Sequence, residues 1–439
     1  MISVLLVEDE PEVLELTRLY LERDTELTVD ACLSVKEALR KLNHKIYNVI
    51  VSDYVMPEIN GIQLLKTLKF QGIDTPLIIF TGKGDEEIAI EALNTGAAFY
   101  LQKSENPRFQ FAKLRRMIYE AALKQRTEEI YREHNICVVV PAFNDEKCIG
   151  PTLDSIPDYI FRIYVIDDAS TDRTPEIIQK CAEKDSRIIP IRHDKNKGVG
   201  AAVTSGYREA LKEGMDIAVV MTGDNKMDPA HIPAFLNPII KRQADYAVGN
   251  RLQGPEFRRG MTTWRFLRNA FLTMLTKIAS GYWQLMDPQN GYTAISKRAL
   301  ERINPSTIYP RYGYCNDMLV KLNAYSFKAV NVNHPARYDS GKTSIFRLVK
   351  LLFKDFLWRM KEKYIILNFH PLVFFYFFGT MCILTSIFLG IFAIYGKLMQ
   401  MEPLFVRATL TLILLFIGSM FILFAMLFDM EQERNIGMY

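Results

Sequence analysis

One stretch constrains this chain more than any other. The apolar run Ile217 to Met221 stops abruptly in a small acidic turn, Thr222-Gly-Asp-Asn-Lys-Met-Asp228. Such a run reads as a buried strand, and Pro229 after it reads as a helix start, where its missing N–H costs nothing. The same punctuation recurs along most of the sequence. Runs at Ile2–Val7, Thr28–Ala31, Val49–Ser52, Leu77–Thr81 and Phe99–Gln102 alternate with helical patterns. A second set lies at Ile136–Val140, Ile163–Ile166, Ile188–Arg192 and Tyr246–Val248. Strands alternating with helices predict α/β architecture, and such sheets bind ligands at the carboxyl ends of their strands. Asp224 sits at such an end and is read as a ligand-binding carboxylate. Asp228, directly before Pro229, is read as a helix cap.

In the first set the polar residues cluster at strand ends. Glu8 and Asp9 follow the first strand, Asp53 the third, Thr81 the fourth and Lys103 the fifth. In a parallel sheet these ends share one edge, so the five side chains should converge. Three carboxylates in one place repel unless a cation sits among them, and Mg²⁺ suits oxygen ligands. Asp53 then reads as a nucleophile toward a phosphoryl group, with Thr81 and Lys103 stabilising the added charge. The residues Glu8-Asp9, Asp53-Tyr-Val-Met-Pro57, Gly61, Thr81-Gly82 and Gly96-Ala-Ala-Phe-Tyr-Leu-Gln-Lys103 resemble the response-regulator receiver domains. The resemblance implies a flavodoxin-like five-stranded parallel sheet, Mg²⁺ held by Asp9 and Asp53, and phosphorylation of Asp53 by a histidine kinase. Ser104 departs from the proline usual there. A receiver also offers a surface for homo-oligomers.

The receiver is expected over residues 1–125. Pro107 to about His134 reads as one long helix whose end, 126–134, becomes a charged connector. A second α/β domain is expected over 135–344. There Asp167 and Asp168 follow the second strand, and Asn196-Lys-Gly-Val-Gly200 opens a helix, where backbone can approach a phosphate closely. Taken with Pro141-Ala-Phe-Asn-Asp-Glu146, Gly249-Asn-Arg251, Asp287-Pro-Gln-Asn-Gly291 and Tyr312-Gly-Tyr-Cys-Asn-Asp317, these runs resemble the inverting GT-A glycosyltransferases of the dolichyl-phosphate mannose synthase type. The resemblance implies a nucleotide-sugar donor bound by Pro141, Asn144, Glu146, Asp167, Asp168, Lys197, Gly198 and Asp224. It implies a polyprenyl monophosphate acceptor bound by Arg251, Arg337, Lys342 and Ser344, and catalytic roles for Asp224, Asp317 and Arg251. The family's metal motif is Asp-x-Asp-x-Gln; here Thr222 and Lys226 replace its first and last members. Either Asp224 alone holds Mg²⁺ or Mn²⁺ with the diphosphate, or Lys226 supplies part of the positive charge.

Toward the end, residues 345–370 mix apolar and basic side chains, as a helix in the headgroup region would. Leu372–Tyr395 and Leu404–Phe428 are each long enough to span a bilayer, which needs about 20 residues. A hairpin and short tail are expected over 371–439. The basic load before Leu372 places the soluble domains on the cytoplasmic side of the membrane. Met1 leads straight into the first strand, so no signal peptide is expected. The net charge of +4 over 439 residues is too mild to argue for nucleic acid, and the six cysteines show no metal-ligand spacing. The reading is a membrane-anchored polyprenyl-phosphate hexosyltransferase controlled by an N-terminal receiver. The alternative is a signalling scaffold whose transferase domain only binds ligand.

Overall fold

The computed structural model describes all residues except 83–85, 105, 253–262, 336–344, 399–403 and 437–439. The chain divides into two compact units, Met1–Glu133 and His134–Tyr439. In the first unit, strands β1 (Ile2–Val7), β2 (Leu27–Cys32), β3 (Val49–Ser52), β4 (Leu77–Thr81) and β5 (Phe99–Gln102) form one sheet in the order β2-β1-β3-β4-β5. Every pairing in it is parallel. Side chains alternate across a strand, so β1 sends Leu5 and Val7 into one apolar layer and Val4 and Leu6 into the other. The second layer is closed by Leu114, Ile118 and Ala121 of the helix Pro107–Arg132. That helix starts at Asn106, whose side chain accepts the Phe109 N–H, with Pro107 in the first turn.

The second unit is built on β6 (Ile136–Ala142), β7 (Arg162–Asp167), β8 (Ile188–Arg192), β9 (Ile217–Val220), β10 (Tyr246–Asn250), β11 (Thr293–Ser296) and β12 (Ala329–Asn333). Their order is β12-β10-β11-β9-β6-β7-β8. The half carrying β9, β6, β7 and β8 is parallel, while β11 runs antiparallel to both β9 and β10. The last two strands were not legible in the sequence. Thr293-Ala-Ile-Ser296 is short and does not alternate, and Ala329-Val-Asn-Val-Asn333 alternates over only four residues. Their neighbours in the sheet, not their own pattern, make them strands. Val139, Tyr164, Ile166, Val220, Val248 and Ile295 share one core with Ala202, Val203, Tyr207, Met318 and Leu322 from covering helices.

The helix Ile345–Lys361 packs Leu348 and Leu352 onto Leu272 and Ala279 of the helix Thr263–Ser280. Val349, Phe353 and Leu357, at four-residue spacing, stay exposed. Two further helices, Leu372–Leu398 and Leu404–Ile436, are long and apolar enough to cross a membrane. Only 17% and 11% of their most apolar stretches are covered by protein, so they are not core helices. They touch closely at Gly379 and Gly418, where an added Cβ would lie 3.0 Å and 2.8 Å from the other glycine's carbonyl oxygen. Small residues permit such approach between apolar helices.

Candidate active site

The strand ends of the second unit open on a cleft of about 570 Å³. One wall comes from the turn after β6 (Pro141, Phe143, Asp145), from Asp168 after β7, and from Thr222 and Asp224 after β9. The facing wall comes from Tyr309, Arg311 and Tyr312, with Leu348 and Leu351 from the helix Ile345–Lys361. Asn196, Gly198 and Val199 lie between them.

Asp224 is engaged on both oxygens. The Thr222 hydroxyl donates to Oδ1 at 2.6 Å and Lys226 Nζ pairs with Oδ2 at 2.7 Å. The residues that replace the two outer members of the metal motif therefore bind the one that remains. Asp228 is a cap: its carboxylate accepts the Ala230 N–H at 2.9 Å, and a 3-10 turn, Pro229–His231, precedes the helix Ile232–Ile240.

The turn after β6 supplies a carboxylate that sequence reasoning passed over. Asn144 takes a positive φ of 57°. Its side chain accepts the Thr171 N–H, and Glu146 accepts the Arg173 N–H, so both brace the neighbouring loop. Asp145, between them, lines the cleft. Burial raises its pKa, and the nearby Asp224 charge adds to this. The signal was the acid itself in Pro141-Ala-Phe-Asn-Asp-Glu146; the twist that turns it inward was not visible.

Asp167 and Asp168 part company. Asp167 accepts the Ser170 N–H and pairs with Arg192 at 3.2 Å. Asp168 lines the cleft but also accepts from Lys197 N at 2.9 Å and Gly198 N at 2.7 Å, with His193 Nδ1 at 2.7 Å. Burial pushes its pKa up, yet these donors outweigh burial and hold it below the usual carboxylate range. The glycines of this loop answer to protein backbone. A Cβ at Gly200 would fall 2.2 Å from Tyr309 O, and one at Gly198, whose φ is +99°, 2.8 Å from Pro310 O.

Arg251 and Asp317 do not line the cleft. Arg251 grips Asp287 through Nε at 2.6 Å and Nη2 at 3.0 Å. Asp317 pairs with Lys321 at 2.7 Å and accepts the Tyr309 N–H at 2.7 Å, so it fixes the loop that forms the far wall. Arg337, Lys342 and Ser344 lie outside the described residues.

The first unit brings its three predicted acids and Lys103 together. Ligand oxygens of Glu8, Asp9 and Asp53 lie within 4.8 Å of one another. Lys103 Nζ bridges Glu8 at 2.7 Å and Asp53 at 3.2 Å, and the Lys103 N–H donates to the carbonyl of buried Thr81 at 2.7 Å. Burial pushes Glu8 up to about 7 despite Lys103. The Ser104 N–H donates to Gln110 at 2.6 Å, a bond proline could not make.

Each unit matches a known family. The glycosyl transferase family 2 matches residues 137–303, and the response regulator receiver domain matches residues 4–115. A UDP-N-acetylglucosamine–dolichyl-phosphate N-acetylglucosaminyltransferase of Methanococcus voltae is 30% identical over 42% of this chain and 78% of its own length. A dolichol-phosphate mannosyltransferase of Pyrococcus furiosus is 30% identical over 51% of this chain and 64% of its own. The response regulator SaeR of Staphylococcus aureus is 36% identical over 25% of this chain and 46% of its own. The chain belongs to glycosyl transferase family 2 and carries a response regulator receiver domain at its N-terminal end.

Proposed function

We propose that the second unit transfers a hexose from a nucleotide-sugar to a polyprenyl phosphate at the membrane surface, with inversion, and that phosphorylation of Asp53 regulates it. The observation that carries this reading is one cleft lined both by carboxylates, Asp145 and Asp224, and by aromatic and leucine side chains, Tyr309, Tyr312, Leu348 and Leu351. A charged donor and a lipid-borne acceptor need both faces at once. The dolichyl-phosphate substrates in the names of two relatives support the acceptor class.

Asp145 and Asp224 fit the divalent cation of this fold family, because the two carboxylates lie near each other and, among the described residues, Lys226 and hydroxyl or N–H donors are what offset them. When bound there, Mg²⁺ or Mn²⁺ would neutralise part of the departing diphosphate. Lys226 is near enough to add a second positive charge to the same group. Pro141, Asn144, Glu146, Asp167, Asp168, Lys197 and Gly198 shape the nucleoside side. A monophosphate acceptor has a second pKa of about 6 and is largely ionised near neutrality, so it needs positioning more than a base. Arg337, Lys342 and Ser344 are assigned to that phosphate. Asp287-bound Arg251 and Lys321-bound Asp317 set the walls that orient the sugar. A single displacement inverts the anomeric carbon.

In this reading the two apolar helices anchor the chain, and the basic residues before Leu372 keep both units on the cytoplasmic side. There a histidine kinase would phosphorylate Asp53, with Mg²⁺ held by Asp9, Asp53 and Glu8. The test is transfer by full-length protein in nanodiscs, using a panel of labelled nucleotide-sugars and both dolichyl and undecaprenyl phosphate. A charged glycolipid is expected, and Asp224→Ala should abolish it. Nucleotide binding with no product across the whole panel would instead mark a ligand-binding scaffold.

A further inference from the structure

The charges along the cleft are uneven. Asp145, Asp168 and Asp224 all line it, whereas among the described lining residues the cation is Arg311. Among the described residues no carboxylate pairs with Arg311, in contrast to Arg251, which is committed to Asp287. Arg311 is exposed, yet its backbone is tightly held. Its carbonyl accepts the Tyr314 N–H, and the Pro310 carbonyl before it accepts the Ala201 N–H at 2.8 Å. A Cβ at Gly198 would meet Arg311 Cγ at 2.9 Å, so the glycine loop presses directly on the arginine's stem.

Arg311 also stands at a boundary of chemistry. Two residues on, Gly313 takes a φ of +108°, and a Cβ there would lie 2.8 Å from Leu351. The polar cleft therefore meets the apolar helix at this turn. A guanidinium suits a phosphate because its fork donates two parallel hydrogen bonds. A guanidinium on a held backbone, with no carboxylate partner among the described residues and with leucines lining the same cleft, fits the head of an amphiphile.

We infer that Arg311 anchors the monophosphate of the lipid acceptor, with its first isoprenoid units laid against Leu348 and Leu351. This rests on the glycosyl-transfer reading above. The same guanidinium chemistry would also suit the donor diphosphate, so the test separates the two.

Full-length protein and its Arg311→Gln and Arg311→Lys variants would be titrated with farnesyl monophosphate, farnesol, UDP and GDP. Losing a charge-assisted bond to phosphate should weaken farnesyl monophosphate roughly ten- to hundredfold in Arg311→Gln. Farnesol and nucleotide affinities should stay unchanged, and Arg311→Lys should recover part of the loss. The exposed position makes misfolding of the variant unexpected, and unchanged farnesol binding checks this directly. Weaker nucleotide binding with unchanged farnesyl monophosphate would overturn the assignment in favour of the donor. Equal loss for every ligand, or no loss for any, would also overturn it. Failure of the wild-type protein to make glycolipid would sink the transfer reading alone, because the farnesyl monophosphate difference is measured without turnover.

Discussion

Replacing Asp429 with asparagine should destabilise the second unit by about 3–5 kcal/mol, the cost of leaving a buried charge without its partner. Asp429 lies near the end of the last helix, and Arg359 lies in the helix that carries Leu348 and Leu351. Their side chains are 1% and 0% exposed. Arg359 donates to both carboxylate oxygens at 2.9 Å, to Ile278 O at 3.0 Å and to Asn323 at 3.2 Å. Lys363 Nζ donates to the same Asn323 oxygen at 2.7 Å, so loss of the Asp429 charge leaves two neighbouring cations with less to offset them. Unit charges about 4 Å apart attract by about 4 kcal/mol at an effective dielectric near 20, which agrees with that range. The three tryptophans, Trp264, Trp283 and Trp358, all lie in the second unit, so intrinsic fluorescence follows it without interference from the receiver. Denaturant unfolding in nanodiscs would measure the loss, with Arg359→Leu and the double variant completing a cycle. The double variant should be more stable than Asp429→Asn, since it also removes the buried arginine charge that the single variant leaves without its partner. A loss under about 1 kcal/mol, or a coupling energy near zero, would refute the reasoning. If the pair also seats the leucine wall, KM for the lipid should rise more than KM for the donor.

Gly200→Ala should cost activity at least tenfold, because its Cβ would fall 2.2 Å from Tyr309 O and push the two cleft walls apart; nucleotide titration and transfer rates check it. His334 should make the second unit acid-sensitive. Its Nε2 faces the Asn290 amide at 2.7 Å, a donor, so this nitrogen must stay unprotonated, and burial, with Arg251 nearby, lowers its pKa from 6.5 to about 4. The unfolded chain binds this proton first, so His334 contributes stability above about 6.5 that is lost as pH falls toward 4. Denaturant midpoints across that window should flatten in His334→Gln. Asp53→Asn should remove phosphate uptake from a small phosphodonor such as acetyl phosphate, and equal transfer with and without beryllofluoride in the wild type would argue against regulation by the receiver.

The sequence by itself determined the first sheet, the parallel half of the second and the acids at their tips. Periodicity and strand-end polarity are local properties, so Glu8, Asp53, Asp224 and the two long apolar helices could be read without neighbours. It also marked Thr222 and Lys226 as departures. Only the tertiary structure decided what those departures do, because the bonds to Asp224 depend on how a turn closes. It likewise placed Asp145 inward through the twist at Asn144. It drew Asp317 and Arg251 off the cleft into ion pairs with Lys321 and Asp287, and brought in Arg311, which stands just before the Tyr312–Asp317 run and belongs to no motif. Strands β11 and β12 belong to the same class: their pairing energy comes from partners more than forty residues away, and nothing in a short window of sequence encodes a neighbour at that distance.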